Sequence, residues 1–405
     1  MSFDIKKVRD DFPILQQRVY GKPLIYFDNG ATTQKPLPVI EIVNTLHRQS
    51  NSSIHRGIHY LGEQVTEAYE NARKTIQKFI HAAQPHEIIF SAGTTASING
   101  LAFSLGERFV REGDEIIITE MEHHSNIVPW QMLCGRKNAR LKVVPFDDNG
   151  VLQLEKLETM MNRKTRLIAV MHASNTLATI NPVKDIVSLA HRHDIPVLVD
   201  GAQSVPHIPV DVQDMDCDFF VFSGHKVYGP TGTGVLYGKE KWLDMIPPFQ
   251  GGGEMVDSVT FEKTTYNQLP YKFEAGTTNY IGAIGMAKAI EYLLSTGLRS
   301  IAVHEQNLLH YAVNKLDELG YITIYGRAPL KTSLVTFSIS HIHPYDAGMV
   351  LDKMGIAIRT GTHCAQPVMQ HYGIEGNIRA SFAMYNTLDE IDSMIEGIKK
   401  VKLMF

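Results

Sequence analysis

The chain has 405 residues, 44% hydrophobic and 20% charged, enough for two or three packed layers or two domains with an ample core. Its formal net charge of -4 gives no reason to expect nucleic acid or an anionic membrane surface as a partner, and no apolar run reaches the ~20 residues of a membrane span. Cys134, Cys217 and Cys364 are odd in number and scattered, so no disulfide framework is implied; the N-terminus is charged from residue 4, lacks the apolar core of a signal peptide, and leaves a cytoplasmic location as the expectation.

The apolar run Leu24–Phe27 leads into Asp28-Asn29-Gly30-Ala31-Thr32-Thr33, residue types that suit a strand-to-turn junction. His55 and Arg56 then precede a predicted helix, marked by Val65, Ala68, Ala72, Ile76 and Phe79 at helical spacing. Taken alone, the two would be capping or surface residues. A short strand predicted over Ile88–Phe90 runs into Ser91-Ala92-Gly93-Thr94-Thr95 and a helix-compatible stretch. Glycine allows close backbone approach, threonines can cap, and a helix N-terminus offers free N–H groups to an anion.

After a strand over Glu115–Thr119 come His123 and His124. Adjacent histidines do not share a helix face, and the spacing lacks a zinc-site pattern, so no metal is expected. Strand Arg166–Met171 delivers His172-Ala173-Ser174-Asn175. Strand Val197–Val199 delivers Asp200, and Phe219–Phe222 delivers Ser223-Gly224-His225-Lys226. Gly229, Gly232 and Gly234 follow in the wrong order for a dinucleotide fingerprint, and the next element is a strand, Val235–Tyr237, not a helix. This alternation from about residue 60 to 240 predicts an α/β architecture with a mostly parallel sheet. Helical stretches dominate from about 282 to 320. Strands over Ser333–Ser338 and Ile356–Arg359 and a helix over Leu388–Leu403 then indicate a smaller α+β domain.

Chemistry concentrates at two places. A lysine at the end of a buried strand is normally expected to snorkel to water. Here Asp200 ends a neighbouring apolar run, so an acid and Lys226 would meet at one sheet edge. Pyridoxal phosphate needs that pair, a lysine for the Schiff base and a carboxylate for the pyridine nitrogen. The second place is the loop Arg359-Thr360-Gly361-Thr362-His363-Cys364-Ala365-Gln366-Pro367, followed by Arg379. Two arginines suit a substrate carboxylate, and a cysteine near arginines and a histidine has surroundings that favour thiolate. Cys134 and Cys217 read as buried hydrophobes.

Asp200-Gly201-Ala202-Gln203 followed by Ser223-Gly224-His225-Lys226 resembles the fold type I pyridoxal-phosphate enzymes in their cysteine desulfurase branch. Arg359-x-Gly361-x-His363-Cys364-Ala365-x-Pro367 is similar to the SufS-like (group II) desulfurases, and the resemblance covers essentially the whole chain. It implies a three-layer large domain over residues 21–295 and a small domain built from 1–20 and 296–405 that carries the cysteine loop. It implies Lys226 as Schiff-base lysine and base, Asp200 under the ring, and His123 stacking on the ring and moving protons. Asn175 and Gln203 would lie near the cofactor, Thr94, Thr95, Ser223 and His225 at its phosphate. Arg379 with Arg359 would hold the carboxylate of L-cysteine, and Cys364 would take its sulfur as a persulfide, leaving alanine. His55, Arg56 and Thr278 would serve the other subunit of a homodimer with shared active sites. The sulfur acceptor would feed iron–sulfur cluster assembly. Tyr345, in place of a histidine, favours a SufE-like acceptor over a SufU-like one. Thr362 departs from relatives that carry a second histidine there. A selenocysteine lyase on the same scaffold is the alternative activity; an aminotransferase would leave Cys364 surplus. A histidine-rich metal-binding or sulfur-carrier protein without catalysis is the reading from another class, which a bound yellow chromophore would eliminate.

Overall fold

Apolar runs that alternate with amphipathic helices bury their surfaces best as strands side by side, with helices over both faces. The computed structural model describes residues 3–405. Its main sheet has seven strands, in spatial order Ile88–Ser91, Gly234–Gly238, Phe219–Ser223, Val197–Asp200, Thr165–Met171, Glu115–Thr119 and Arg140–Val144. Gly234–Gly238 runs antiparallel to both of its neighbours, and the remaining pairs are parallel. The strands Val197–Asp200 and Phe219–Ser223 are buried on both faces. Phe220 and Phe222 enter one core with Val197 and Val199, whereas Phe219 and Val221 enter another with Leu198. Each buried phenylalanine stabilises the fold by roughly 1.5–3 kcal/mol, which is why these runs are continuously apolar. The strand Arg140–Val144 lies at the sheet edge, with Arg140 and Val143 exposed, and shows no such run in the sequence.

Helices Tyr280–Thr296 and Leu298–Asp317 lead out of this body. The smaller sheet is antiparallel, in the order Ile322–Tyr325, Leu334–Ile339, Asn377–Ser381 and Arg359–Gly361. Val335, Phe337, Ile378, Ile391 and Ile398 form its core with the helices Pro344–Lys353 and Leu388–Met404. The single strand expected over Ile356–Arg359 is two. Ile356–Ala357 pairs in parallel with Ile25–Tyr26, and Arg359–Gly361 pairs antiparallel with Asn377–Ser381. The chain changes sheets at Ile358.

The N-terminal segment touches both bodies. Val8, Phe12 and Leu15 pack into the large core, whereas Phe27 enters the small one. Arg9 ties the two together, donating to the Tyr385 carbonyl and pairing with Glu390 at 2.8 Å. Among the described residues no helix is long and apolar enough to cross a membrane, and no group of three or more His, Cys, Asp or Glu side chains is placed to hold a metal ion.

Candidate active site

Parallel strands deliver whatever follows them to one edge of the sheet, and ligands gather there. Asp200 ends its strand in register with Val221, and the next strand ends at Ser223 before the turn Gly224–Lys226. The result is a cavity of about 260 Å³ between the two bodies. Its walls include Asp200, Gln203, Lys226, His123, Asn175 and Cys364, with Thr94, Thr95, Ser223 and His225 at one end and Arg359 and Arg379 at the other.

Burial dominates the electrostatics. It lowers the Lys226 amine to about 8, although the Asp200 charge pulls it upward. The Asp200 carboxyl is 4% exposed and is raised above its ordinary value by burial, against the Ala202 N–H and the Lys226 charge. Its Oδ1 accepts that N–H at 2.9 Å. Burial first, then the Lys226 charge, lowers His123 to about 3. The Ser125 N–H donates to His123 Nδ1 at 3.1 Å, so the neutral ring carries its proton on Nε2. His225 is likewise lowered to about 4 by burial and by Lys226.

At the Thr94 end, the helix Thr94–Phe109 begins against Ser223. The Thr94 N–H donates to Ser223 Oγ at 2.9 Å, and Thr95 Oγ1 lies 2.7 Å from Ser125 Oγ. Two glycines allow this approach: a Cβ on Gly234 would lie 2.5 Å from Gly93 Cα, and Gly93 itself has φ +136°.

At the opposite end, Arg359 and Arg379 are direct cross-strand partners. Two like charges so placed repel each other. Asp28 offsets this with one oxygen for each, Oδ1 accepting from Arg379 at 3.1 Å and Oδ2 from Arg359 at 3.5 Å. Arg379 is buried and also donates to the Asn175 carbonyl at 2.8 Å, but its Nε has no partner. A Cβ on Gly30 would lie 3.1 Å from that guanidinium carbon, so a side chain at position 30 would make Arg379 give by a few tenths of an ångström.

Cys364 lies on a loop pinned from both bodies. The Asn175 side chain donates to the His363 carbonyl at 2.7 Å, and the His124 N–H to the Cys364 carbonyl at 2.8 Å. His363 Nε2 lies 2.5 Å from Asn377 Oδ1. Both His363 and Cys364 adopt left-handed backbone, with φ +52° and +56°. Cys134 and Cys217 are buried, and burial pushes the Cys134 thiol up to about 11 and that of Cys217 higher still.

A lysine, a buried acid and a cysteine in one cleft of a fold like this narrow the possibilities, and the sequence decides among them. Residues 25–394 match the aminotransferase class-V family. The chain belongs to that family. A cysteine desulfurase of Escherichia coli (strain SE11) is 50% identical over 402 residues, 99% of each chain, and one of Shigella sonnei (strain Ss046) matches equally. Among solved structures, the cysteine desulfurase CsdA of Escherichia coli aligns over 100% of both chains, with TM-score 0.92 and 34% identity. The apo cysteine desulfurase of Thermococcus onnurineus NA1 aligns over 99% of this chain and 98% of its own, with TM-score 0.94 and 37% identity. The chain is thus a pyridoxal-phosphate-dependent enzyme in the cysteine desulfurase branch of the class-V aminotransferases.

The cavity of this class-V aminotransferase homologue fits its cofactor. Asp200 is buried with a single hydrogen bond from a backbone N–H, and a carboxylate so placed calls for a cationic or N–H partner such as a pyridine ring. Lys226 supplies the amine, and the Thr94 helix N-terminus a seat for a dianion.

His55, Arg56 and Thr278 lie outside this cavity. They belong instead to one polar chain. Thr278 Oγ1 donates to Tyr69, whose hydroxyl donates to Glu274. Arg73 grips Glu274 with two bonds of 2.7 and 2.9 Å and also pairs with Glu70. Glu70 meets His55 at 3.0 Å, and both His55 and Arg56 meet Glu254. Sequence reasoning singled out the Asp28–Thr33 segment without pairing Asp28 with the arginines, and did not name the carbonyl held by His124. The turn-forming Asp28-Asn29 run marked the place, but nothing local named its partners.

Proposed function

We propose that this enzyme is a SufS-like cysteine desulfurase, working as a homodimer, that converts L-cysteine to L-alanine and hands the sulfur from a Cys364 persulfide to a SufE-like acceptor for iron–sulfur cluster assembly. The observation that carries this reading is Cys364 in the same cavity as Lys226 and Asp200, with two arginines beside it. Bound pyridoxal phosphate would supply an electron sink for the α-carbon of an amino acid.

The residues divide the remaining work. Thr94, Thr95, Ser223 and His225 would hold the phosphate, and Asp200 the ring nitrogen. Arg379 offers its unpartnered Nε, and Arg359 its more exposed guanidinium, to the substrate carboxylate. Lys226 Nζ, lowered to about 8, takes the α-proton while remaining a competent base near neutrality. His123 keeps a proton at Nε2 within the same space. Cys364 Sγ attacks the substrate sulfur; the C–S bond breaks, its electron pair remains with the carbon fragment, and an S–S bond forms on Cys364. A proton delivered to the β-carbon and one returned to the α-carbon then complete alanine. The polar chain through Arg73 and Glu274 would present His55, Arg56 and Thr278 to the second subunit's site.

Alanine release from L-cysteine by the holoenzyme, with reductant and beside Cys364→Ala, tests the reading. Alanine from the wild type and none from the variant is expected. No alanine from a correctly loaded wild type would overturn it. Alanine from selenocysteine by Cys364→Ala would identify a separate lyase activity that does not need the thiol.

A further inference from the structure

We infer that His124 is a positioning residue: it caps, from the large domain, the helix that follows Cys364, and so holds the cysteine loop at the cavity. The inference rests on the desulfurase reading for its consequence in turnover, but not for its structural content.

The helix Gln366–His371 starts after Ala365, whose side chain has no atom able to cap. The first N–H groups of a helix need partners from elsewhere. His124 Nε2 accepts the Gln366 N–H at 3.2 Å, and the backbone N–H of the same residue donates to the Cys364 carbonyl at 2.8 Å. One residue thus holds both sides of Ala365. Burial lowers the His124 pKa, which favours the neutral ring whose Nε2 can accept.

The need for an external hold follows from the loop itself. His363 and Cys364 are consecutive non-glycine residues in left-handed conformation, a pairing that costs free energy without compensation from outside. The other restraints are the Asn175 side chain on the His363 carbonyl and Asn377 on the His363 ring. His124 adds something these do not. It adjoins His123, which lines the cavity, so the imidazole and the thiol are set against one another through a single short segment.

The test is alkylation of the holoenzyme by iodoacetamide, with each cysteine followed by peptide mass spectrometry, in the wild type, His124→Ala and His124→Gln. Loss of a cap shifts a helix-start equilibrium about fivefold, and Cys364 in His124→Ala should be labelled faster by about that factor. Cys134 and Cys217, buried at 7% and 0% exposure, should stay unlabelled, and the Gln variant, which keeps an acceptor, should return toward wild type. In turnover, kcat should fall in His124→Ala with KM for cysteine little changed. Unchanged labelling of Cys364 would overturn the inference. Faster labelling of all three cysteines would also overturn it, because His124 would then be supporting the fold as a whole. If the wild type released no alanine, the desulfurase reading would fail while the labelling result stood.

Discussion

Arg359 faces Arg379 across two antiparallel strands, and the pair shares one counter-ion, Asp28. The arrangement is asymmetric. Arg379 is fixed by Asp28 and by the Asn175 carbonyl, whereas the Arg359 side chain is 40% exposed and held by one long contact. Asp28→Asn should therefore loosen the fixed arginine and raise KM for cysteine about tenfold. It should also destabilise the fold by about 2 kcal/mol, the scale of a hydrogen bond to a charged group. Steady-state kinetics and urea unfolding read the two effects separately.

Lys226 sets a pH dependence. Its amine is lowered from 10.5 to about 8, with burial the largest cause. The apoenzyme's rate of capturing pyridoxal phosphate, followed by absorbance, should rise with pH and level off above about 8. The same shift has a sign for stability. Between 8 and 10.5 the unfolded chain binds more protons at this position than the folded one, so this group's contribution to stability improves as pH rises through that window.

Glu122 behaves in the opposite way. It is fully buried beside the cavity wall, and burial raises it from 4.5 to about 8, against hydrogen bonds from Thr119, Asn126 and the Met171 N–H. The folded form binds more protons between those values, so its contribution to stability falls as pH rises from 4.5 to 8. Glu122→Gln removes the titration. Relative to wild type, the variant should gain stability between pH 5 and 8, as measured by urea unfolding at both ends.

Glu274→Gln should be severe. Arg73 and Glu274 are 1% and 2% exposed, and their two short bonds compensate each other's burial. Removing the Glu274 charge leaves buried Arg73 to the partly exposed Glu70, at a cost of up to about 3–5 kcal/mol. Chemical denaturation should show a loss of that order. Double replacement of Arg73 and Glu274 by apolar residues should cost less than the single change.

The parts of this site that the sequence discloses are those set by local chemistry. An acid and a lysine at the ends of apolar runs declare strand ends, because only a buried strand explains Phe219–Phe222 and the residues after it. The cysteine loop is legible for a similar reason, with glycine, histidine and proline packed around one thiol. Asp28 is not legible in this way, since its partners lie 331 and 351 residues away and only the closed fold brings them near. The capping of Gln366 by His124 spans 242 residues and is hidden likewise. The edge strand Arg140–Val144 escapes because half-exposed strands carry no continuous apolar run. The division at Ile358 escapes because a change of pairing partner leaves no mark on residue type.

That division has a mechanical consequence. Residues 356–361 are stitched to the N-terminal strand on one side and to the strand carrying Arg379 on the other. Asp28, both arginines and the start of the cysteine loop therefore form one stiff frame, while Lys226 and Asp200 belong to the other sheet. The cysteine loop is also held from the other body, by the Asn175 side chain and the His124 N–H, so the thiol is tied to both frames at once. A shift of one body against the other would therefore change the reach from the arginines to the thiol as well as to the amine.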